Sequence, residues 1–228
     1  IMVISLWGFA FLTGLSPSVI RAVTMFSFFA FAKAINRETN SINTLFLSYF
    51  VLLIINPLWL FYVGFQLSYL AVFFILWLLP LFNKIYYPKN YFVKKIWDIF
   101  TVTLAAQLGI IPLSIYYFHQ FPGLFFITNL IILPFLGILL GAGIILIFLS
   151  MFNILPDWFA LSYNFLIKLM NSCIHWIANQ ELFLFQNIPF SLPKVFASYL
   201  LIISIILFWN YQNRKSRLFF IVGLSILF

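Results

Sequence analysis

Apolar runs close to the length of a membrane span follow one another along nearly the whole chain, and this constrains the fold more than any other feature. A helix that crosses a bilayer needs roughly 20 mostly apolar residues. Such runs cover 1–13, 17–34, 43–55, 64–82, 92–117, 124–152, 158–180, 195–211 and 218–228. The first and last are cut by the ends of the chain, so a piece of a longer protein is expected. The third is short and stops before Asn56-Pro57. Ser16 stands where an N-cap belongs, with Pro17 at the first helical position. Pro112 and Pro134 fall inside the fifth and sixth runs and are expected to break or kink them. The expected fold is all-α: a polytopic transmembrane helical bundle of about eight to nine spans with broken helices, one transmembrane domain over 1–228.

Composition agrees. Of 228 residues, 65% are hydrophobic and 7% are charged, with mean hydropathy +1.13. A soluble domain carries about 25% charged residues. Twelve basic and four acidic residues are too few to cover a globule of this size with hydrated groups. The 32 Phe suit a lipid-facing surface, and the 7 Trp and 11 Tyr suit the headgroup level.

The net charge of +8 is explained by where the cations fall. Lys33, at the end of the second run, and Arg37 border the loop between the second and third. Lys84 and Lys89, with Lys94 and Lys95 at the head of the fifth run, border the loop between the fourth and fifth. Arg214, Lys215 and Arg217 follow the eighth. If each run crosses once, these loops share one side, and they hold nine of the twelve basic residues. That side is then the cytoplasm of a multi-pass inner-membrane protein. The parity requires 158–180 to cross.

Polar side chains in hydrocarbon are costly and face the bundle interior or water. Arg21 lies about one turn into the second run, with no acid in the neighbouring spans. It either snorkels to the outer headgroups or lines a polar path. A helix N-terminus is an unfavourable place for a cation, which favours the path. Gln66, Ser68, Gln107 and Asn129 can bond between helices, and Gln107 and Asn129 also lie within about one and a half turns of Pro112 and Pro134, where broken helices would open backbone to a cavity. In 158–180, Asn164, Lys168, Asn171, His175 and Asn179 recur at helical spacing as one polar stripe. The stripe fits a span facing a wet interior or an amphipathic helix in the interface.

Catalysis is not expected. His119 and His175 are the only histidines, and no metal-ligand cluster, nucleophile triad or phosphate loop accompanies them. Cys173 is alone, so an internal disulfide and a multi-cysteine metal site are excluded. No cofactor motif is present.

Three ordered segments make the chain recognisable: GLSPSVIRAVTM (14–25), NPLWLFYVGFQLSYLAV (56–72) and LAAQLGIIPLSIYYFHQFPGLFFITNLIILP (104–134). They resemble the competence region of the ComEC family, membrane proteins of bacterial natural transformation. The resemblance covers about 1–150 strongly and the rest by helix layout. It implies a membrane channel core for single-stranded DNA, working with other competence-machinery proteins and with a homo-oligomer among the arrangements. The matching positions are Ser16, Pro17, Arg21, Gly64, Gln66, Leu67, Ser68, Gln107, Pro112, Phe118, His119, Asn129 and Pro134. Family members often carry an Asp just before VGFQLS. Here Tyr62 stands there, so no role of that acid is carried over. Similar proteins also carry an OB-like domain and a metallo-β-lactamase-like domain that this sequence lacks. Arg21, Gln66, Gln107, Asn129, Lys168 and Asn171 are then the donors for a DNA path. A small-solute permease and a membrane scaffold for a soluble nuclease are the rival readings.

Overall fold

The computed structural model describes residues 2–36, 40–152, 154–180 and 184–211, without the side chains of 125, 126, 184 and 209–211. The run 218–228 and the basic residues Arg37, Arg214, Lys215 and Arg217 lie outside the described residues. The fold is all-helical apart from one two-residue ribbon. In order the elements are α1 (Met2–Leu12), α2 (Pro17–Ala34), α3 (Ser41–Ile55), a 3-10 turn (Pro57–Phe61), α4 (Val63–Ile85), α5 (Tyr91–Phe118), β1 (Phe121–Pro122), α6 (Phe125–Met151), α7 (Asp157–Ala178), β2 (Leu184–Phe185) and α8 (Leu192–Tyr211).

Asparagines start three of these elements. The Oδ1 atoms of Asn40, Asn56 and Asn90 accept the backbone N–H groups of Ile42, Leu58 and Phe92 at 3.0, 3.0 and 3.1 Å. Each satisfies a donor that the first helical turn leaves open. Asn40 moves the start of α3 to Ser41, ahead of the expected 43. Ser16 occupies the N-cap position of α2 with Pro17 at N1, but its side chain makes no capping hydrogen bond.

Among the described residues three helices are long and apolar enough to cross a bilayer: Val63–Ile85, Tyr91–Phe118 and Ile127–Met151. The expected count of eight to nine spans is therefore not reached by length and composition. Met2–Leu12, Ser41–Ile55 and Leu192–Phe208 are apolar but shorter. α2 carries Arg21 and Lys33, and α7 carries its polar stripe, which lowers the hydropathy of both. The expected helix breaks are also corrected. α5 and α6 continue as helices through Pro112 and Pro134, and α4 does so through Pro80. A proline removes one N–H and crowds the preceding turn. The intact hydrogen bonds on either side still carry the helix.

The chain divides into two compact units. The first comprises Ile1–Tyr87, Leu104–His119 and Pro189–Phe228. In it α2 packs on α1, α3 and α4, and α3 packs on α4. Trp7 Nε1 donates to Ser27 Oγ at 3.1 Å and ties α1 to α2. One core cluster joins Ile20, Leu45, Leu52, Phe65 and Tyr69. A second joins Phe74, Leu78, Phe82, Ala105 and Ile206. At the second, α4 and α5 approach so closely that a Cβ on Gly109 would stand 2.8 Å from Phe74 Cδ2 and 2.9 Å from the Leu70 carbonyl oxygen. Tyr199 of α8 donates its hydroxyl to the Gly109 carbonyl at 2.8 Å and so ties α8 to α5. Tyr199→Phe is expected to lower stability in detergent by about 1 kcal/mol, in the range of interhelical hydrogen bonds in membranes. Equilibrium unfolding in SDS checks this, and an unchanged midpoint refutes it.

The second unit comprises Pro88–Thr103 and Gln120–Ile188. α6 packs on α7, with the Tyr163 hydroxyl lying against Gly143. β1 and β2 pair antiparallel, and the Phe121 and Phe185 rings stack at 6.5 Å.

Candidate functional site

The polar residues of the first unit collect where α2, α3 and α4 meet. Arg21, in the second turn of α2, turns inward. Its Nε donates to Ser68 Oγ on α4, and its Nη1 lies 3.8 Å from Met25 Sδ. Its Cζ stands 5.9 Å from the centroid of the Tyr69 ring, within cation–π range. The guanidinium is thus held against α4 by these contacts. No carboxylate pairs with the guanidinium among the described residues. A half-buried cation is usually paired, because desolvation is expensive. Here a hydroxyl, a thioether and an aromatic face take the place of an acid. Arg21 also borders a cavity of about 390 Å³, lined with it by Ala22, Met25, Phe26, Phe29, Ser41 and Thr44.

Tyr69 is itself fixed. Ser48, fully buried on α3, gives its one proton to the Leu45 carbonyl at 2.7 Å. The 3.0 Å contact between Ser48 Oγ and the Tyr69 hydroxyl then has Tyr69 as donor. The chain of contacts Arg21, Ser68, Tyr69, Ser48 thus crosses three helices.

Gln66, two residues before Ser68, is committed elsewhere. Its Nε2 donates to the Leu60 carbonyl at 2.7 Å, and its Oε1 accepts from the Tyr117 hydroxyl at 3.0 Å. It pins the 3-10 turn and the C-terminal end of α5 to the start of α4. Beside it lies a second cavity, of about 380 Å³, walled by aromatic rings of α3 and α4.

The other sequence-derived positions are placed as follows. Gln107 is half-buried on α5 in the first unit and makes no side-chain hydrogen bond among the described residues. Asn129 is half-buried on α6 in the second unit. Asn164, Lys168, Asn171, His175 and Asn179 are all exposed on the second unit, the first four on α7 and Asn179 at its C-cap. His119 follows α5 with φ of +53°. The structure therefore joins Arg21 to Ser68 and gives Gln66 separate partners.

Sequence reasoning missed Ser48, Tyr69 and Tyr117. Ser48 offered one usable signal, a hydroxyl isolated in an apolar run, the type that bonds between helices. Tyr69 and Tyr117 offered none, because tyrosine is common throughout the chain.

The family described as Competence protein matches residues 1–212. The chain is 32% identical over 214 residues to ComE operon protein 3 of Bacillus subtilis (strain 168), which covers 91% of this chain and 26% of that protein. The chain thus spans about a quarter of the length of this curated relative. No solved structure matches it.

Proposed function

Because the chain belongs to the Competence protein family, we propose that it is the membrane-embedded core through which single-stranded DNA crosses the bacterial inner membrane in natural transformation. The observation that carries this reading is Arg21, a cation drawn into an apolar helix bundle and held there by Ser68 and Tyr69 with no acid paired to it among the described residues. Such a charge is stabilised by an anion from outside the chain, and a DNA phosphodiester supplies one. Ser68 holds Nε and so aims the other N–H groups of the fork. Lys168 and the asparagines of the exposed α7 stripe offer further donors on the second unit. α7 suits the bilayer interface as well as a span, since it presents both this stripe and exposed Trp158, Leu161 and Phe165.

The chain would be multi-pass in the bilayer and would work with other competence proteins. A second copy is among its candidate partners. The proposal assigns it no bond-breaking step and no cofactor. Strand cutting would belong to other parts of the full-length protein.

The test uses competent cells whose full-length protein is depleted and then restored, fed radiolabelled double-stranded DNA. On depletion, DNA bound at the surface should persist while nuclease-resistant internal label falls to background. Restoration should recover it. Undiminished internal label in depleted cells overturns the reading and leaves the permease alternative.

A further inference from the structure

An aromatic cavity lies beside Gln66. It measures about 380 Å³ and is lined by Phe46, Tyr49, Phe65, Tyr69 and Phe73, with Gln66 among its walls. The rings hold one another in place. Tyr49 lies 5.6 Å from Phe65 and 5.0 Å from Tyr69, Phe65 lies 4.7 Å from Tyr69, and Phe46 meets Phe73 edge-on at 6.0 Å. Tyr69 is fixed further by Ser48, and Gln66 by Leu60 and Tyr117. Fixed rings give a wall of defined shape. Phe65 and Tyr69 are buried, whereas Phe46 is 55% and Leu60 40% exposed, so these two lie at the rim of the cavity.

One ring links this cavity to the cation. Tyr69 lines the cavity and also stands under the Arg21 guanidinium, 5.9 Å from centroid to Cζ. A flat π surface and a phosphate-binding cation therefore sit one side chain apart. A nucleotide has the matching build, a planar base and an anionic phosphate joined by one sugar. A flexible acyl chain has no need of an adjoining cation or of rings in fixed orientation.

Resting on the DNA-passage reading, we propose that this cavity is a stacking site for one base of the strand, with the adjoining phosphodiester on Arg21. Stacking on aromatic faces is indifferent to sequence, because every base has a π face. The polar edge of the base would stay toward the open mouth, since the walls offer almost only carbon. Such a site would grip any strand one nucleotide at a time without reading it.

The experiment uses the full-length protein in competent cells supplied with DNA carrying 5-iododeoxyuridine, irradiated during uptake, with cross-linked peptides located by mass spectrometry. Cross-links are expected within α3 and the start of α4, at Tyr49, Phe65 or Tyr69. In parallel, Phe46→Leu should lower transformation about tenfold at unchanged membrane abundance, in line with the loss of one base–aromatic stack. Phe46→Trp should restore it. Phe46 is exposed, so neither change threatens folding. Cross-links confined to other parts of the protein, with Phe46→Leu transforming normally, overturn the stacking site and leave DNA passage standing. Phospholipid cross-linked or co-purified at the cavity, with normal transformation of Phe46→Leu, likewise overturns it. No cross-link anywhere on the protein overturns both readings.

Discussion

Replacing Gly109 by Leu is expected to remove most of the folded protein from the membrane. The first added atom, Cβ, would meet the Phe74 ring at 2.8 Å and the Leu70 carbonyl oxygen at 2.9 Å. The ring can rotate or shift. The carbonyl belongs to the backbone of α4, so it retreats only if the whole helix does. That retreat would open the cluster of Phe74, Leu78, Phe82, Ala105 and Ile206 and draw the Gly109 carbonyl away from Tyr199. Overpacking a tight core costs about 1–3 kcal/mol, and more where the obstacle is backbone. A loss of 1–2 kcal/mol already changes cellular abundance several-fold. Gly109→Leu should therefore fall to roughly a tenth of wild-type abundance, and Gly109→Ala should fall between. Adding Phe74→Leu should rescue only part, because the Leu70 carbonyl remains. Immunoblots of membrane fractions with unfolding in SDS measure both effects. Normal abundance of Gly109→Leu would refute the packing argument. Gly137 and Gly141, which have nothing within 4 Å of an added Cβ, serve as tolerant controls.

Arg21→Leu should give the opposite signature, a stable protein without function. Removing the cation costs the Ser68 contact, worth about 1 kcal/mol in a membrane. It also removes from an apolar bundle a charge that no acid among the described residues pairs, a cost that insertion scales set at up to about 2.5–3.5 kcal/mol at a helix centre and that is smaller one turn from the end. Abundance should hold or rise. Transformation should fall at least about thirtyfold, because losing one member of a buried charge pair costs about 2–5 kcal/mol, and about 1.4 kcal/mol is a factor of ten. Arg21→Lys should be intermediate. It keeps the charge but loses the fork that binds Ser68 and a phosphate together. The measurement is transformation frequency against membrane abundance in cells carrying the full-length variants. Normal transformation of Arg21→Leu at normal abundance removes Arg21 from the DNA path. A parallel fall of both quantities would make Arg21 a structural residue and equally end the assignment.

These two residues show what was legible. Arg21 stood out in the sequence because a cation in an apolar run is rare and costly. Gly109 was invisible. Glycine is common in membrane helices, and nothing local separates Gly109 from Gly137. Gln66 and Ser68 look alike as polar positions at the head of one helix, yet the structure gives them different partners. The polar stripe of α7 was fully legible, because its period is a property of one helix. The prolines misled in the other direction. The missing N–H of Pro112 was foreseeable, but the continuation of α5 through it was not, nor was the bond from Tyr199 to the Gly109 carbonyl 90 residues away.

By itself the sequence determined that the described chain is helical and where most helices lie. The run 17–34 coincides with α2, and 64–82 and 92–117 fall inside α4 and α5. Length and apolarity are local properties, so they can be read in order along the chain. Only the tertiary structure decided that Arg21 meets Ser68 across 47 residues and Gln66 meets Tyr117 across 51. The physical reason is the apolarity that made the helices easy to find. A helix that is apolar all round has no face marked for burial. Which faces meet is then decided by a few glycines, hydroxyls and one guanidinium, whose partners are far away in sequence.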